Sequence, residues 1–160
     1  MTQGGIYTAF VKSELGTEEE RRNDINSRSL AALSTSGGQF AVVVGLATFV
    51  EQKDFHLSRA GIVLFVIAIV GYLIAAALAL VATGSHKTVA ASPSTLMAML
   101  SDRWMDHEVD ASNFVARTQV RSIATLRAGN DIKVKWLKAS LVLQVAAVCF
   151  LGAAAIKLAA

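Results

Sequence analysis

Three arginines between two apolar runs are the residues best suited to bind an anion. Arg117 and Arg121 are four residues apart and share one helix face, and Arg127 lies farther along the chain. Forked guanidinium groups match the oxygens of phosphate, so a nucleotide or an anionic lipid headgroup would fit. A solvated face, or basic residues that set membrane orientation, would show the same spacing, and for the arginines alone we favour that simpler interpretation.

The sequence predicts no enzyme, no cofactor and no metal site. His56, His86 and His107 are scattered, and the single cysteine, Cys149, lies in an apolar run. No histidine and cysteine therefore stand at metal-ligand spacing. The densest polar cluster, residues 106–110, is typical of a solvated helix face, because neighbours in a helix point in different directions. The chain also lacks a phosphate-binding glycine loop and a nucleophile triad.

Three apolar runs predict a membrane protein. Hydrophobic residues make up 54% of the chain and charged residues 17%, which is more apolar than a typical globular domain. Residues 60–82 contain neither charge nor proline, and a helix of that length crosses a hydrocarbon core of roughly 30 Å. Residues 29–50 and 139–157 are predicted to span as well. None of the three has an ionisable residue at its centre, which argues against a proton relay or an ion-coupled transporter.

The basic residues predict an orientation in the membrane. Only Lys53 and Arg59 lie between the first two runs, whereas lysine and arginine are frequent before the first run and throughout residues 85–138. The positive-inside rule then places the N-terminus and residues 85–138 in the cytoplasm and the C-terminus outside. Because this orientation accounts for the net charge of +3, we expect membrane lipid rather than nucleic acid as a partner.

The fold class expected is all-α, with a flexible tail over residues 1–16 and a single membrane domain over residues 17–160. Thr17 to Glu20 has the pattern of a capping box and predicts a helix start. No proline interrupts the chain from there to Glu51. We interpret Gly37-Gly38 as a site of close helix packing rather than a hinge.

A cytoplasmic helical stem is predicted over residues 85–138. Ser92-Pro93 is typical of an N-cap followed by a first helical residue, and it predicts a short amphipathic helix that ends near Met105. Asp106 is expected to cap a second helix that runs on into the third run, with Gly129-Asn130 as the place where a break could occur.

Small residues recur on one face of the second run. Such a face lets helix backbones approach closely and favours association in lipid. Its partner is either another helix of the chain or another subunit, and alanine is also simply common in this sequence. The expected packing residues are Gly61, Ala68, Gly71, Ala75, Ala79 and Ala82.

The order of these parts resembles the Pycsar-type transmembrane effectors of bacterial anti-phage defence, and also the related SLATT effectors. A charged segment, residues 21–28, leads into the first run, and a tight hairpin around residues 51–59 joins the first two runs. Residues 126–133 lead into the last run in a similar pattern. The charged segment departs from the Asp-x-Lys-Ala-like element that the family would have, since Asp24 is followed by Ile-Asn-Ser-Arg.

The resemblance implies an effector that responds to a cyclic pyrimidine mononucleotide, forms a homo-oligomer and impairs the bacterial inner membrane, where the protein would then reside. Under it, Arg117, Arg121, Arg127 and Asn130 are the expected ligand-binding residues. A non-catalytic membrane scaffold or accessory subunit, docking a protein partner through the stem, remains an alternative. A phage-type holin is disfavoured because the long basic segment lies between the runs rather than at the tail.

Overall fold

The computed structural model describes residues 3–52, 59–84, 91–101 and 107–159, and its regular elements are all helices. Helix α1 is Gln3–Gln52, α2 is Arg59–Thr83, α3 is Pro93–Ser101 and α4 is Glu108–Ala159. No strand occurs in these ranges, so the all-helical prediction is confirmed. The hairpin turn expected between the first two runs and the expected cap at Asp106 fall outside the described residues.

The chain divides into two compact units. The stem unit comprises Met1–Asp24 and Ser85–Asp131, and the bundle unit comprises Ile25–Gly84 and Ile132–Ala160.

Helix α1 begins earlier than the sequence led us to expect. It starts at Gln3, so the predicted helix start at Thr17 was wrong, and the residues predicted as a flexible tail are helical from Gln3 onward. The Thr17 hydroxyl donates to the Ser13 carbonyl oxygen at 3.1 Å, one turn back in the same helix, and caps nothing. Near the end of this stretch, Glu14 bonds to Arg127 of α4.

The expected continuation of the stem helix into the third run is confirmed, while the expected packing of Gly37-Gly38 is not. Helix α4 passes through Gly129 and Asn130 without a break, and the Asn130 side chain bonds to α1. Gly37 and Gly38 have no neighbouring atom within 4 Å of a Cβ built on either, so the interpretation as a close packing site was wrong.

The stem helix α3 has the predicted N-terminus. The Thr95 amide donates to the Ser92 hydroxyl oxygen at 3.1 Å, and Pro93 is the first helical residue. Helix α2 ends at Thr83, directly before Gly84.

The small residues of α2 pack inside the bundle unit. All six predicted packing residues are buried, together with Tyr72. At Gly71 a Cβ would lie 3.2 Å from the Ala147 Cβ of α4, so glycine permits this close approach. One buried cluster joins Ile25, Ala32, Ala79, Ala82 and Leu137, and a second joins Val43, Tyr72 and Ala147. The small-residue face is therefore covered by helices of the same chain.

Polar side chains connect the same three helices. Ser140 on α4 donates to the Ala75 carbonyl oxygen of α2 at 2.7 Å. The Gln144 amide donates to the Ala32 carbonyl oxygen at 2.9 Å and to the Ser36 hydroxyl oxygen at 2.6 Å, both on α1. Both side chains are buried away from water, so each hydrogen bond offsets the cost of desolvating the polar group that makes it.

Two helices, α2 and α4, are long and apolar enough to cross a membrane. In their most apolar stretches only 22% and 28% of residues, respectively, are buried. A core helix of a soluble protein would be mostly buried, so this exposure favours lipid contact. Residues 29–50 of α1 are not apolar enough to count as a candidate span. Of the three predicted spans, length and apolar composition therefore support only the second and the third.

We predict that Gly71→Leu loosens the bundle unit. A side chain at this position overpacks the contact with Ala147 and should cost about 1–3 kcal/mol of unfolding free energy. Ala77→Leu, on the exposed side of α2, is the matched control and should change little. Unfolding in detergent monitored by circular dichroism measures both. Equal stability of the two variants would contradict the close approach.

Candidate anion-binding site

In the stem unit, α1 and α4 are joined by ion pairs centred on Arg127. Its Nε donates to Glu18 Oε1 at 2.8 Å, and its Nη2 donates to Glu14 Oε2 at 2.6 Å. Glu14 and Glu18 are one turn apart on α1, so both reach a single guanidinium. Arg127, predicted as a ligand-binding residue, is thus held by two carboxylates of its own chain.

Asn130 completes the contact one turn farther along α4. Its Nδ2 donates to the Glu18 carbonyl oxygen and to Glu18 Oε2, both at 3.1 Å. Asn130 and Glu18 are both buried, Glu18 with 6% of its surface exposed. Arg21 Nη1 lies 3.6 Å from Glu18 Oε2, and Arg21 Nη2 donates to Asp131 Oδ1 at 2.8 Å. We refer to Glu14, Glu18, Arg21, Arg127, Asn130 and Asp131 as the stem clasp.

The stem clasp favours the charged form of Glu18. Burial by itself raises the pKa of this carboxyl, but the hydrogen bonds from Arg127 and Asn130 and the nearby Arg21 charge outweigh it, so the pKa lies below its ordinary value. The hydrogen bond to Glu18 in turn raises the pKa of Arg127. Both residues of the pair are therefore ionised at neutral pH.

The other two predicted ligand residues lie apart from these contacts. Arg117 and Arg121 are exposed on α4, one turn from each other. Neither guanidinium bonds to another residue in the part of the chain that the structure describes. The four predicted residues thus form two groups: an engaged group of Arg127 and Asn130, and an exposed pair of Arg117 and Arg121.

The acidic half of the stem clasp was missed by the sequence reasoning. Glu18 was assigned to a capping box, whereas it is the buried partner of α4. A usable signal was present: Glu18, Ile25 and Ala32 are seven residues apart and all three are buried, as expected for one inward face of a long helix. The identity of the partner, more than a hundred residues away in the chain, had no such local signal.

The donors of the stem clasp are those that bind oxyanions. Arg127 Nε and Nη2 and Asn130 Nδ2 all point at carboxylate oxygens, and the same donors would serve a phosphate. Among the described residues no group of three or more histidine, cysteine or acidic side chains could hold a metal ion. Comparison of the chain with protein-family models, curated proteins and solved structures gives no match.

We predict that the stem clasp weakens in acid. Because the pKa of Glu18 is depressed below its ordinary 4.5, its carboxylate stabilises the folded chain above that pH, and this contribution is lost as the pH falls through the lowered value. Glu18→Gln, a neutral mimic of the protonated acid, should therefore lower the Tm at pH 7, and its difference from wild type should shrink as the pH falls below 4.5.

Glu19→Gln is the control for this titration. Glu19 is the exposed neighbour of Glu18 on α1, and its substitution should leave the Tm close to wild type across the range. A Tm difference between Glu18→Gln and wild type that stays constant from pH 7 to pH 3 would contradict the assigned charge.

Proposed function

We propose that this chain is a bacterial inner-membrane effector of a cyclic-nucleotide-signalled anti-phage defence system, which assembles in the membrane and impairs its integrity. The carrying observation is the exposure of apolar side chains along two helices long enough to span. On α2 these include Val63, Val66, Val70 and Leu73, and on α4 Val142 and Val145. Water would penalise such a surface, whereas lipid accepts it.

We assign residues 29–50 of α1 as a third span on the basis of where its polar groups point. Ser29 and Ser36 are buried, and each hydroxyl bonds to a carbonyl oxygen one turn back. Large apolar side chains of the same segment are exposed: Leu30, Phe40, Val42 and Val44. A helix whose buried hydroxyls are bonded internally and whose large apolar groups face outward suits a bilayer despite its modest overall hydropathy. Gln39 Oε1, also buried in this segment, has no hydrogen-bond partner among the described residues.

Three spans give the orientation expected from the basic residues, with the N-terminus inside and the C-terminus outside. Lys133, Lys135 and Lys138 precede the apolar part of α4 and would lie at the cytoplasmic edge. Trp136 among them is exposed, as suits a ring at headgroup level.

The exposed pair, Arg117 and Arg121, supports an anionic ligand for the stem. Two guanidinium groups one turn apart, without a carboxylate partner in the described chain, leave their donors for phosphate. A cyclic pyrimidine mononucleotide is the ligand that the family resemblance implies.

Assembly would use the outward faces of the bundle unit. The small-residue face of α2 packs against α1 and α4 of the same chain, so it does not remain for another subunit. The exposed valines and leucines of α2 and α4 are the surface left for a second copy.

A membrane scaffold that docks a protein partner is the second candidate. Leu96, Met97 and Leu100 are exposed on one side of α3, and Ile6 and Phe10 are exposed on α1. Apolar side chains on helices outside the proposed spans are typical of protein-docking surfaces. A holin stays disfavoured on the position of the basic segment.

We predict that cells expressing the protein lose membrane potential when cyclic UMP or cyclic CMP is supplied. The double variant Arg117→Gln with Arg121→Gln should retain its potential, because it lacks the forked donors for phosphate. Lys12→Gln, an exposed basic residue of the same unit, is the control and should depolarise like wild type. A voltage-sensitive dye measures the response, and the amount of each variant in the membrane fraction is matched by immunoblot.

Two outcomes would count against this proposal. Unchanged potential in the wild type under all conditions would favour the scaffold. Depolarisation of the double variant at wild-type nucleotide concentration would remove Arg117 and Arg121 from the ligand site.

A further inference from the structure

Carboxylates of α1 occupy the donors of Arg127 and Asn130 in the manner of a bound anion. Arg127 Nε donates to Glu18 Oε1 at 2.8 Å, and Arg127 Nη2 donates to Glu14 Oε2 at 2.6 Å. A phosphodiester has two non-bridging oxygens, and the Arg127 guanidinium now donates to the same number of acceptor oxygens. Asn130 Nδ2, at 3.1 Å from Glu18 Oε2, supplies a third donor beside it.

We propose that Arg127 and Asn130 form a phosphate-binding site that Glu14 and Glu18 close in the ligand-free chain. A phosphate-bearing ligand displaces the two carboxylates and separates α1 from α4 within the stem unit. This inference rests on the proposed function and deepens it, because it adds a phosphate site apart from the exposed pair Arg117 and Arg121 and names the contact that a phosphate there would break. The phosphate comes either from a soluble nucleotide or from a lipid headgroup.

The exposure of the partners makes exchange feasible. The Arg127 side chain is 51% exposed, and Glu14 is also partly exposed. Ion pairs of this kind contribute little net stability, since both groups are well hydrated when apart. An incoming anion can therefore reach the guanidinium from solvent and compete with Glu14 first.

Glu18 is the part of the stem clasp that resists opening. It is buried, and its carboxylate bonds to both Arg127 and Asn130. Once released it would regain water, which offsets part of the lost hydrogen bonding. Its removal should shift the equilibrium toward the open form, whereas removal of Glu19, exposed on the same helix, should not.

Distances between spin labels test this directly on the full chain in lipid nanodiscs. Labels are placed at Ser13 on α1 and Ala128 on α4, both exposed, in a Cys149→Ser background because Cys149 is itself exposed. Double electron–electron resonance is recorded with cyclic UMP, with inorganic phosphate and with no addition. Each arm is run in neutral phosphatidylcholine and in anionic phosphatidylglycerol.

A longer-distance population that grows with cyclic UMP or inorganic phosphate in neutral lipid is expected if the ligand is soluble. The same population in anionic lipid alone identifies a headgroup phosphate as the source. Glu18→Gln should show the longer-distance population without any addition. It should also bind the probe that opens the wild type, cyclic UMP or inorganic phosphate, roughly tenfold more tightly than the wild type does. Arg127→Gln should abolish the probe response, and Glu19→Gln should match wild type.

An unchanged distance distribution for the wild type in every arm overturns the proposal. So does a Glu18→Gln variant that binds the effective probe no more tightly than wild type. Arg127→Lys is the folding safeguard: it retains the charge but loses the fork, and a full wild-type response from it would also overturn the site.

The membrane-potential assay separates this inference from the proposed function. Opening of the stem clasp without depolarisation would refute the effector proposal and leave the phosphate site standing. Depolarisation by nucleotide while the label distance stays unchanged would refute the phosphate site and leave the effector proposal standing.

Discussion

Ser140 and Gln144, both buried on α4, each need a hydrogen-bond partner, and this requirement fixes how the helices of the bundle unit meet. Ser140 reaches a carbonyl oxygen of α2, and Gln144 reaches a carbonyl and a hydroxyl oxygen of α1. A shift by one residue along either neighbour would leave these groups unbonded in an apolar interior, at a cost of about 1–3 kcal/mol for each one. Apolar contacts alone tolerate such sliding, so the polar pairs set the register and the small residues set the separation.

The same requirement sorts residue types between the faces of each helix. Ser140, Ala147 and Ala154 on α4 are seven residues apart and buried, while Val142 and Val145 between them are exposed. Helices with inward residues at this spacing pack side by side as in a coiled coil. In a soluble coiled coil the inward stripe is apolar and the outside is polar. Here small and polar residues lie inside and large apolar residues lie outside, the distribution that a lipid surrounding favours.

Local signals predicted the elements better than the contacts between them. The Ser92-Pro93 N-terminus of α3 was found because a cap and its helix are adjacent in sequence. The small face of α2 was found because its seven-residue spacing is visible within one helix. The start of α1 was missed because the Thr17 pattern that suggested it lies inside the helix, where the hydroxyl bonds one turn back. The stem clasp was missed for another reason: nothing near Glu18 in the sequence specifies that Arg127 is its partner. Partner choice between distant segments depends on the folded arrangement, and one sequence carries no direct record of it.

The bonds that join α1 to α4 differ between the two units in how far a dissolved anion can reach them. In the bundle unit the bonds from Gln144 are neutral, short and buried. Lys133 Nζ also donates to Asn26 Oδ1 at 2.8 Å there, and Lys133 is only 2% exposed. The Gln144 bonds carry no net charge for an ion to compete with, and burial keeps the Lys133 ammonium away from dissolved ions. In the stem unit the bonds are ion pairs of Arg127, whose side chain is half exposed. Such pairs weaken with ionic strength and exchange one anion for another. An anion can therefore compete for the stem clasp more readily than for the bundle unit, whose buried hydrogen bonds hold its helices in register.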